Sequence, residues 1–189
     1  ILAKDEQKRA DKFYFERHRK NFIIFRSFLR QILSKYLNIS AAEIKFQYKE
    51  FGKPKITESQ NANNIQFNIT HSENIALVAI SKNKPVGIDT ELIRPLKDHL
   101  KISKRFFSKK EHEFIIKETP KKRVATFFRI WTRKEALIKA SGKGLFQDLN
   151  TFSTVFTQNR KTKKIITETR QTFIIQDLDF KTKFKTAVC

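Results

Sequence analysis

Over residues 124–139 the apolar side chains of Phe127, Phe128, Trp131 and Leu137 recur with a helical period, which commits this part of the chain to one long helix. On that helix Trp131, Glu135 and Lys139 stand four apart and share a face. Gly142 sits where the helix should stop, because glycine takes the left-handed cap conformation at little cost. Gly144 is expected to keep the following turn tight or mobile. A carboxylate and an ammonium on one helical face are ordinarily a surface salt bridge. The stretch V-G-I-D-T-E at 86–91 changes that reading, because on a strand Asp89 and Glu91 lie two apart and project from the same face.

The remaining pattern predicts further elements. Charge and aromatics are dense over 5–19, which fits a helix and a turn. From 22 to 37 the residues Phe22, Phe25, Phe28, Leu29, Ile32, Leu33 and Tyr36 recur at threes and fours, the signature of a buried amphipathic helix ended by Asn38. Alternating strands are expected at 44–48 and 65–69, a turn at 51–54 and a polar loop at 57–64. The apolar run 75–80 predicts a strand buried on both faces. Leu100, Ile102, Phe106 and Phe107 form another stripe. Ser108 with Glu111 three residues on is a capping box for a helix that ends before Pro120. Short strands are predicted at 151–157, 164–169, 172–176 and 179–186. The order of helix, strands, helix, strands suggests an α+β chain in two halves, residues 1–84 and 85–189.

The 189 residues include 19 Phe and are 39% hydrophobic, enough for a sizeable core. No apolar run approaches the roughly 18 residues of a membrane span, and no signal peptide is visible. A lone Cys189 at the end suggests a reducing, cytoplasmic setting. A chain that opens at Ile1 and lacks Met leads us to expect a further upstream segment. The net charge of +21, from 40 Lys+Arg against 19 Asp+Glu, favours an acidic partner such as nucleic acid, an anionic membrane, a phosphorylated cofactor or an acidic protein.

Asp89, Glu91 and Glu135 are three hard oxygen donors on what read as adjoining elements. Mg2+ takes few protein carboxylates and completes its shell with water and substrate phosphate. Lys139, one turn beyond Glu135, would then stand beside metal-bound phosphate and stabilise charge on a leaving oxygen.

Together, F-G-K-P (51–54), F-N-I-T-H-S (67–72), V-G-I-D-T-E (86–91), R-F-F-S-K-K-E (105–111) and W-T-R-K-E-A-L-I-K-A-S-G-K-G-L (131–145) resemble the 4′-phosphopantetheinyl transferases, in the single-chain, two-halved type. The resemblance implies two similar helix-plus-antiparallel-sheet subdomains related by a pseudo-twofold, with the active site in the cleft between them. The opening strand usual in that family is not visible before Leu2. The implied reaction moves the phosphopantetheine arm of coenzyme A to a serine of an apo carrier protein, using Mg2+ or Mn2+. By motif, Asp89, Glu91 and Glu135 would hold the metal. Glu135 would draw the serine proton and Lys139 would steady the departing phosphate. Lys53, Thr70 and His71 would contact coenzyme A, with His71, Arg9, Lys12 and Arg19 around its 3′-phosphate, and Glu111 would lie near the metal. Thr70 retains the hydroxyl of the family's usual Ser. The expected partner is an acidic carrier protein, and the expected state a monomer.

Two other classes fit part of this pattern. A Mg2+-dependent nuclease also uses clustered carboxylates and a lysine, but the common arrangement sets Glu-x-Lys on a strand, whereas Glu135 and Lys139 are four apart on a helix. A nucleic-acid-binding module would interleave exposed aromatics with basic residues, and most of the Phe positions here fall on apolar faces.

Overall fold

A computed structural model describes residues 1–48, 52–142, 149–156, 162–166 and 170–189. The turn expected at Gly144, the Phe51 end of the turn before Pro54, and the far ends of the strands expected at 151–157 and 164–169 lie outside the described residues. The chain is α+β, built of helices and antiparallel sheets, and it divides into two compact units. Unit 1 comprises Ile1–Phe67 and Ile80–Lys84, and unit 2 comprises Asn68–Ala79 and Pro85–Cys189. Among the described residues no helix is long and apolar enough to cross a membrane.

Unit 1 opens with α1 (Lys4–Ala10) and α2 (Glu16–Leu37). The second helix begins ahead of the predicted Phe22 and ends as expected at Asn38, whose φ is 55°. Its buried face is not the all-apolar one predicted. Leu29 and Leu33 are buried, but Phe28 and Tyr36 are exposed, and Arg26 and Arg30 turn inward. The cause is Glu6 of α1, which is 1% exposed and must find partners there. It accepts hydrogen bonds from Arg26 Nε and, at 2.6 Å, from Arg30 Nε. Arg30 also donates to the carbonyls of Ala41 (2.7 Å) and Ile44 (3.0 Å), tying the helix to the chain that follows it. β1 (Phe46–Tyr48) pairs antiparallel with β2 (Pro54–Ile56), so Pro54 opens a strand instead of closing a turn. The first residue of a strand tolerates the missing amide.

β3 (Ile65–Ser72) and β4 (Ile75–Lys82) form a two-stranded hairpin joined by Glu73, at φ 52°, and Asn74. Residues Ile65–Phe67 and Ile80–Lys82 of this hairpin belong to unit 1, and the rest to unit 2. β4 was expected to be buried on both faces and is instead half-buried as far as Ser81. Burial on both faces is a property of strands inside a sheet covered on each side, and among the described residues β4 has one neighbouring strand.

Unit 2 carries a sheet in the order β5 (Ile88–Leu92), β8 (Phe184–Val188), β7 (Thr172–Asp177), β6 (Thr162–Ile166), with every pair antiparallel. The helix predicted over 124–139 is α5 (Pro120–Ser141). Pro120 occupies its first turn, where a missing amide costs nothing, and Gly142 ends it at φ 71°. One side of α5 packs Ala136 and Leu137 against Ile165, Ile175 and Ala187 of the sheet. The other packs Phe127, Phe128 and Ile130 with Phe107 and Ile115, which flank and belong to α4 (Lys109–Lys117), next after α3 (His99–Phe106). The capping box at Ser108 and Glu111 is formed as predicted.

The strand predicted at 151–157 is a correction. A 3-10 turn covers Leu149–Thr151 and residues 152–156 are irregular. The backbone groups that a ladder would use are taken by buried and half-buried side chains. Lys134 Nζ donates to the carbonyls of Leu149 and Phe152, Arg133 Nη1 to that of Thr154, and Lys163 Nζ to those of Ser153 and Val155. The amide and hydroxyl of Thr154 both donate to Glu111 Oε1. With its polar groups satisfied in this way, the segment has no need of a strand partner.

Candidate functional site

Gly87 sets the site. A Cβ on this residue would lie 2.0 Å from the Ala136 carbonyl oxygen and 2.4 Å from the Ala140 amide nitrogen, so only glycine lets the chain pass this close to α5. Its amide and carbonyl exchange hydrogen bonds with Cys189 at 2.9 and 2.8 Å. Held against the helix and the last strand at once, the chain delivers Asp89, two residues later, to the Lys139 turn of α5.

Lys139 Nζ stands 2.6 Å from Asp89 Oδ1 and 3.4 Å from the Ile88 carbonyl. Thr70 Oγ1 donates to the same Asp89 oxygen at 3.1 Å. Asp89 is 5% exposed, and its Oδ2 is buried with no hydrogen-bond partner. Around this pair opens a cavity of about 430 Å³. Asp89 and Glu91 line it from β5, Trp131, Glu135 and Lys139 from α5, and Ile69, Thr70 and His71 from β3. All of these residues belong to unit 2.

The electrostatics of the cavity are those of crowded carboxylates. Burial pushes the Asp89 carboxyl above its ordinary range, against the pull of Lys139 and Thr70. Glu135 is raised first by burial and then by the Asp89 charge, with Lys139 opposing. Glu91 is raised by burial and by Asp89, with Arg94 opposing from 3.5 Å. The His71 imidazole is lowered by desolvation and then by Lys139, which favours its neutral form.

Three mutually repelling carboxylates and one unpartnered buried oxygen fit a hard divalent cation that would relieve both. They do not form a closed cage. Among the described residues no three His, Cys, Asp or Glu side chains already enclose a metal position. The donors surround an open cavity, which suits an ion that takes few protein ligands and leaves room for phosphate.

Asp89, Glu91, Glu135, Lys139, Thr70 and His71 all lie in unit 2 and line this one cavity, Thr70 and His71 having been expected in the first half, 1–84. The others expected to act, Lys53, Arg9, Lys12 and Arg19, belong to unit 1. Lys53 is half-buried just before β2. Arg9 stacks over Phe22 at 5.5 Å, Lys12 is exposed after α1, and Arg19 pairs with Asp11 at 3.2 Å and Glu16 at 3.7 Å. Glu111 does not line the cavity: it is fully buried and paired with Lys134 at 2.7 Å. Arg94 was missed by the sequence reading. Its guanidinium lies 5.4 Å over the Phe128 ring while it pairs with Glu91. Its only sequence signal was a basic residue three places after the second carboxylate.

The sequence matches the family described as the 4′-phosphopantetheinyl transferase superfamily over residues 85–189, and that described as 4′-phosphopantetheinyl transferase, N-terminal, over residues 1–83. It is 40% identical over 144 residues to the 4′-phosphopantetheinyl transferase HetI of Nostoc sp., a match covering 76% of this chain and 61% of that protein. It is 28% identical over 189 residues to the 4′-phosphopantetheinyl transferase Sfp of Bacillus subtilis, covering 100% of this chain and 82% of that protein. A solved holo-[acyl-carrier-protein] synthase of Thermotoga maritima is similar at 15% identity and a TM-score of 0.40, over 55% of this chain and 60% of that one. The chain thus spans less than two thirds of the length of the Nostoc relative.

Proposed function

The chain belongs to the 4′-phosphopantetheinyl transferase superfamily, and from that premise we propose that it transfers the phosphopantetheine arm of coenzyme A to a serine of an apo carrier protein. The observation that carries this reading is the single cavity in which Asp89, Glu91 and Glu135 meet Lys139. In the reaction the serine oxygen forms a bond to the phosphorus that bears the arm, the bond from that phosphorus to the bridging oxygen breaks, and 3′,5′-ADP leaves.

Asp89, Glu91 and Glu135 would hold Mg2+, or Mn2+ in its place. Such an ion supplies charge stabilisation at the pyrophosphate oxygens when bound. Glu135 takes the serine proton, directly or through water; a carboxylate raised by burial is a better base near neutral pH than an ordinary one. Lys139 donates to the departing phosphate from its position in the last turn of α5. Thr70 and His71 supply a hydroxyl and a neutral imidazole to hydrogen-bond coenzyme A. Lys53, Arg9, Lys12 and Arg19 belong in this proposal as phosphate contacts, on charge and motif alone. The surplus of positive charge suits an acidic carrier protein, which it would draw in over distance. We place the protein in the cytoplasm as a monomer.

A nucleic-acid module is less well supported, because Phe67, Phe107, Phe127, Phe128 and Phe152 are buried and not offered to bases. The test is release of 3′,5′-ADP on mixing the protein with coenzyme A, Mg2+ and apo carrier protein. Release that requires all three supports the reading. No release, or release that ignores the carrier, contradicts it.

A further inference from the structure

β5 is the outermost strand of the unit 2 sheet, so one of its edges has no backbone partner within that sheet. In an antiparallel strand successive amides point to opposite edges. The amides of Gly87 and Ile93 donate toward the last strand, to Cys189 and Lys183, both at 2.9 Å. The even-numbered amides of Ile88, Thr90 and Leu92 therefore face the open edge. An unpaired edge is costly when buried and prone to wrong pairings when exposed.

Here that edge is closed by side chains of β3. Asn68 Oδ1 accepts from the Ile88 amide at 2.8 Å, and Ser72 Oγ accepts from the Leu92 amide at 3.1 Å. Between them Thr70 Oγ1 donates to the Asp89 carboxylate. Asn68, Thr70 and Ser72 are spaced by two, so one face of β3 supplies two rungs to the backbone of β5 and, between them, one bond to the Asp89 side chain. A rung built through a side chain holds two backbones further apart than the roughly 4.8 Å of a backbone ladder. The two rungs fall just before Asp89 and just after Glu91, so they bracket the two carboxylates that line the cavity from this strand.

We infer that Asn68 and Ser72 are positioning residues. By capping the open edge of β5 on either side of Asp89 and Glu91, they set how far those carboxylates stand from β3 and so how well they grip a divalent cation. The inference rests on the proposed metal role of these carboxylates. Neither residue touches the reacting groups; each acts through the strand. Asn68 is buried and its loss risks the fold, whereas Ser72 is half-buried at the strand end and is the better probe.

The experiment is Mn2+ binding to the full chain, read from the free-ion paramagnetic resonance signal, for the parent protein, Ser72→Ala and Ser72→Thr, each with its melting temperature. Losing a residue that orients a metal ligand costs about 10- to 100-fold in affinity, so Ser72→Ala should raise the Mn2+ Kd by about tenfold. Ser72→Thr, which restores the accepting oxygen, should return it to near the parent value. A Ser72→Ala protein that binds Mn2+ as the parent does overturns the inference, including when its melting temperature falls, since a merely structural role predicts that pattern. A threonine variant that stays as weak as the alanine one also overturns it. If the parent itself binds no Mn2+, the metal reading of Asp89, Glu91 and Glu135 fails, and this inference falls with it.

Discussion

Lys139 Nζ lies 2.6 Å from Asp89 Oδ1, so among the described residues the one cation lining the cavity is hydrogen-bonded to one of its three acids. The ammonium serves two groups in the proposed reaction: it draws the Asp89 pKa down, and it stands ready for a phosphate oxygen. Lys139→Ala should therefore lower turnover by about a hundredfold, the scale of losing one charge-stabilising donor. The KM for coenzyme A should change far less. Steady-state kinetics check this, and equal loss in both constants would count against a role at the leaving group.

Glu135, Asp89 and Glu91 all have folded-state pKa values above the ordinary range. Each binds its proton more tightly folded than unfolded. Each therefore opposes folding above its folded pKa, and that opposition lifts as the pH falls through this value. Glu135→Gln, which removes one such charge, should melt at a higher temperature than the parent at pH 7 without divalent ions, while losing transfer. Thermal melts across pH 4 to 8 should show the gap close toward the acid end. A variant that melts lower at pH 7 would mean that Glu135 is a stabilising ion-pair partner.

Lys134 and Lys139 sit five residues apart on α5 and have opposite duties. Lys134 is 1% exposed and paired with the fully buried Glu111. Lys134→Met should destabilise the fold by about 3–5 kcal/mol, because a buried carboxylate is left without its partner. The Mn2+ affinity of the folded fraction should be unchanged. Chemical denaturation and metal titration together separate the two roles.

Much of this arrangement was legible in the sequence. Periodicity located the body of α5 and the shared face of Trp131, Glu135 and Lys139, because an amphipathic helix writes its geometry into every third or fourth residue, and the glycine at 142 marked its stop. The alternation of Asp89 and Glu91 placed both on one side of a strand. What periodicity could not express was polar burial. The inward turn of Arg26 and Arg30 depends on Glu6, and the irregular course of 152–156 depends on Glu111, Arg133, Lys134 and Lys163 reaching backbone groups distant in sequence. Charged residues read as surface unless their partners are known. Arg133 and Lys134, next to Glu135 in the chain, are buried ties of this kind.

Gly87 is the position where fold and chemistry are most tightly joined. Gly87→Ala would drive a methyl group into the Ala136 carbonyl, a contact that backbone must move to relieve. Overpacking of this kind costs about 1–3 kcal/mol, and the shift would carry Asp89 away from Lys139. Stability and transfer should fall together, measured by denaturation and by product formation on the folded fraction. A variant that loses stability yet transfers normally would show that the close approach does not position Asp89.

The most direct measurement is the intact mass of an apo carrier protein after incubation with coenzyme A, Mg2+ and this chain, beside an identical incubation with Asp89→Ala. The account predicts that the parent adds the mass of one phosphopantetheine arm to the carrier, and that the folded Asp89→Ala protein adds none. An unchanged carrier mass with the parent protein, or equal gain with both proteins, would contradict it.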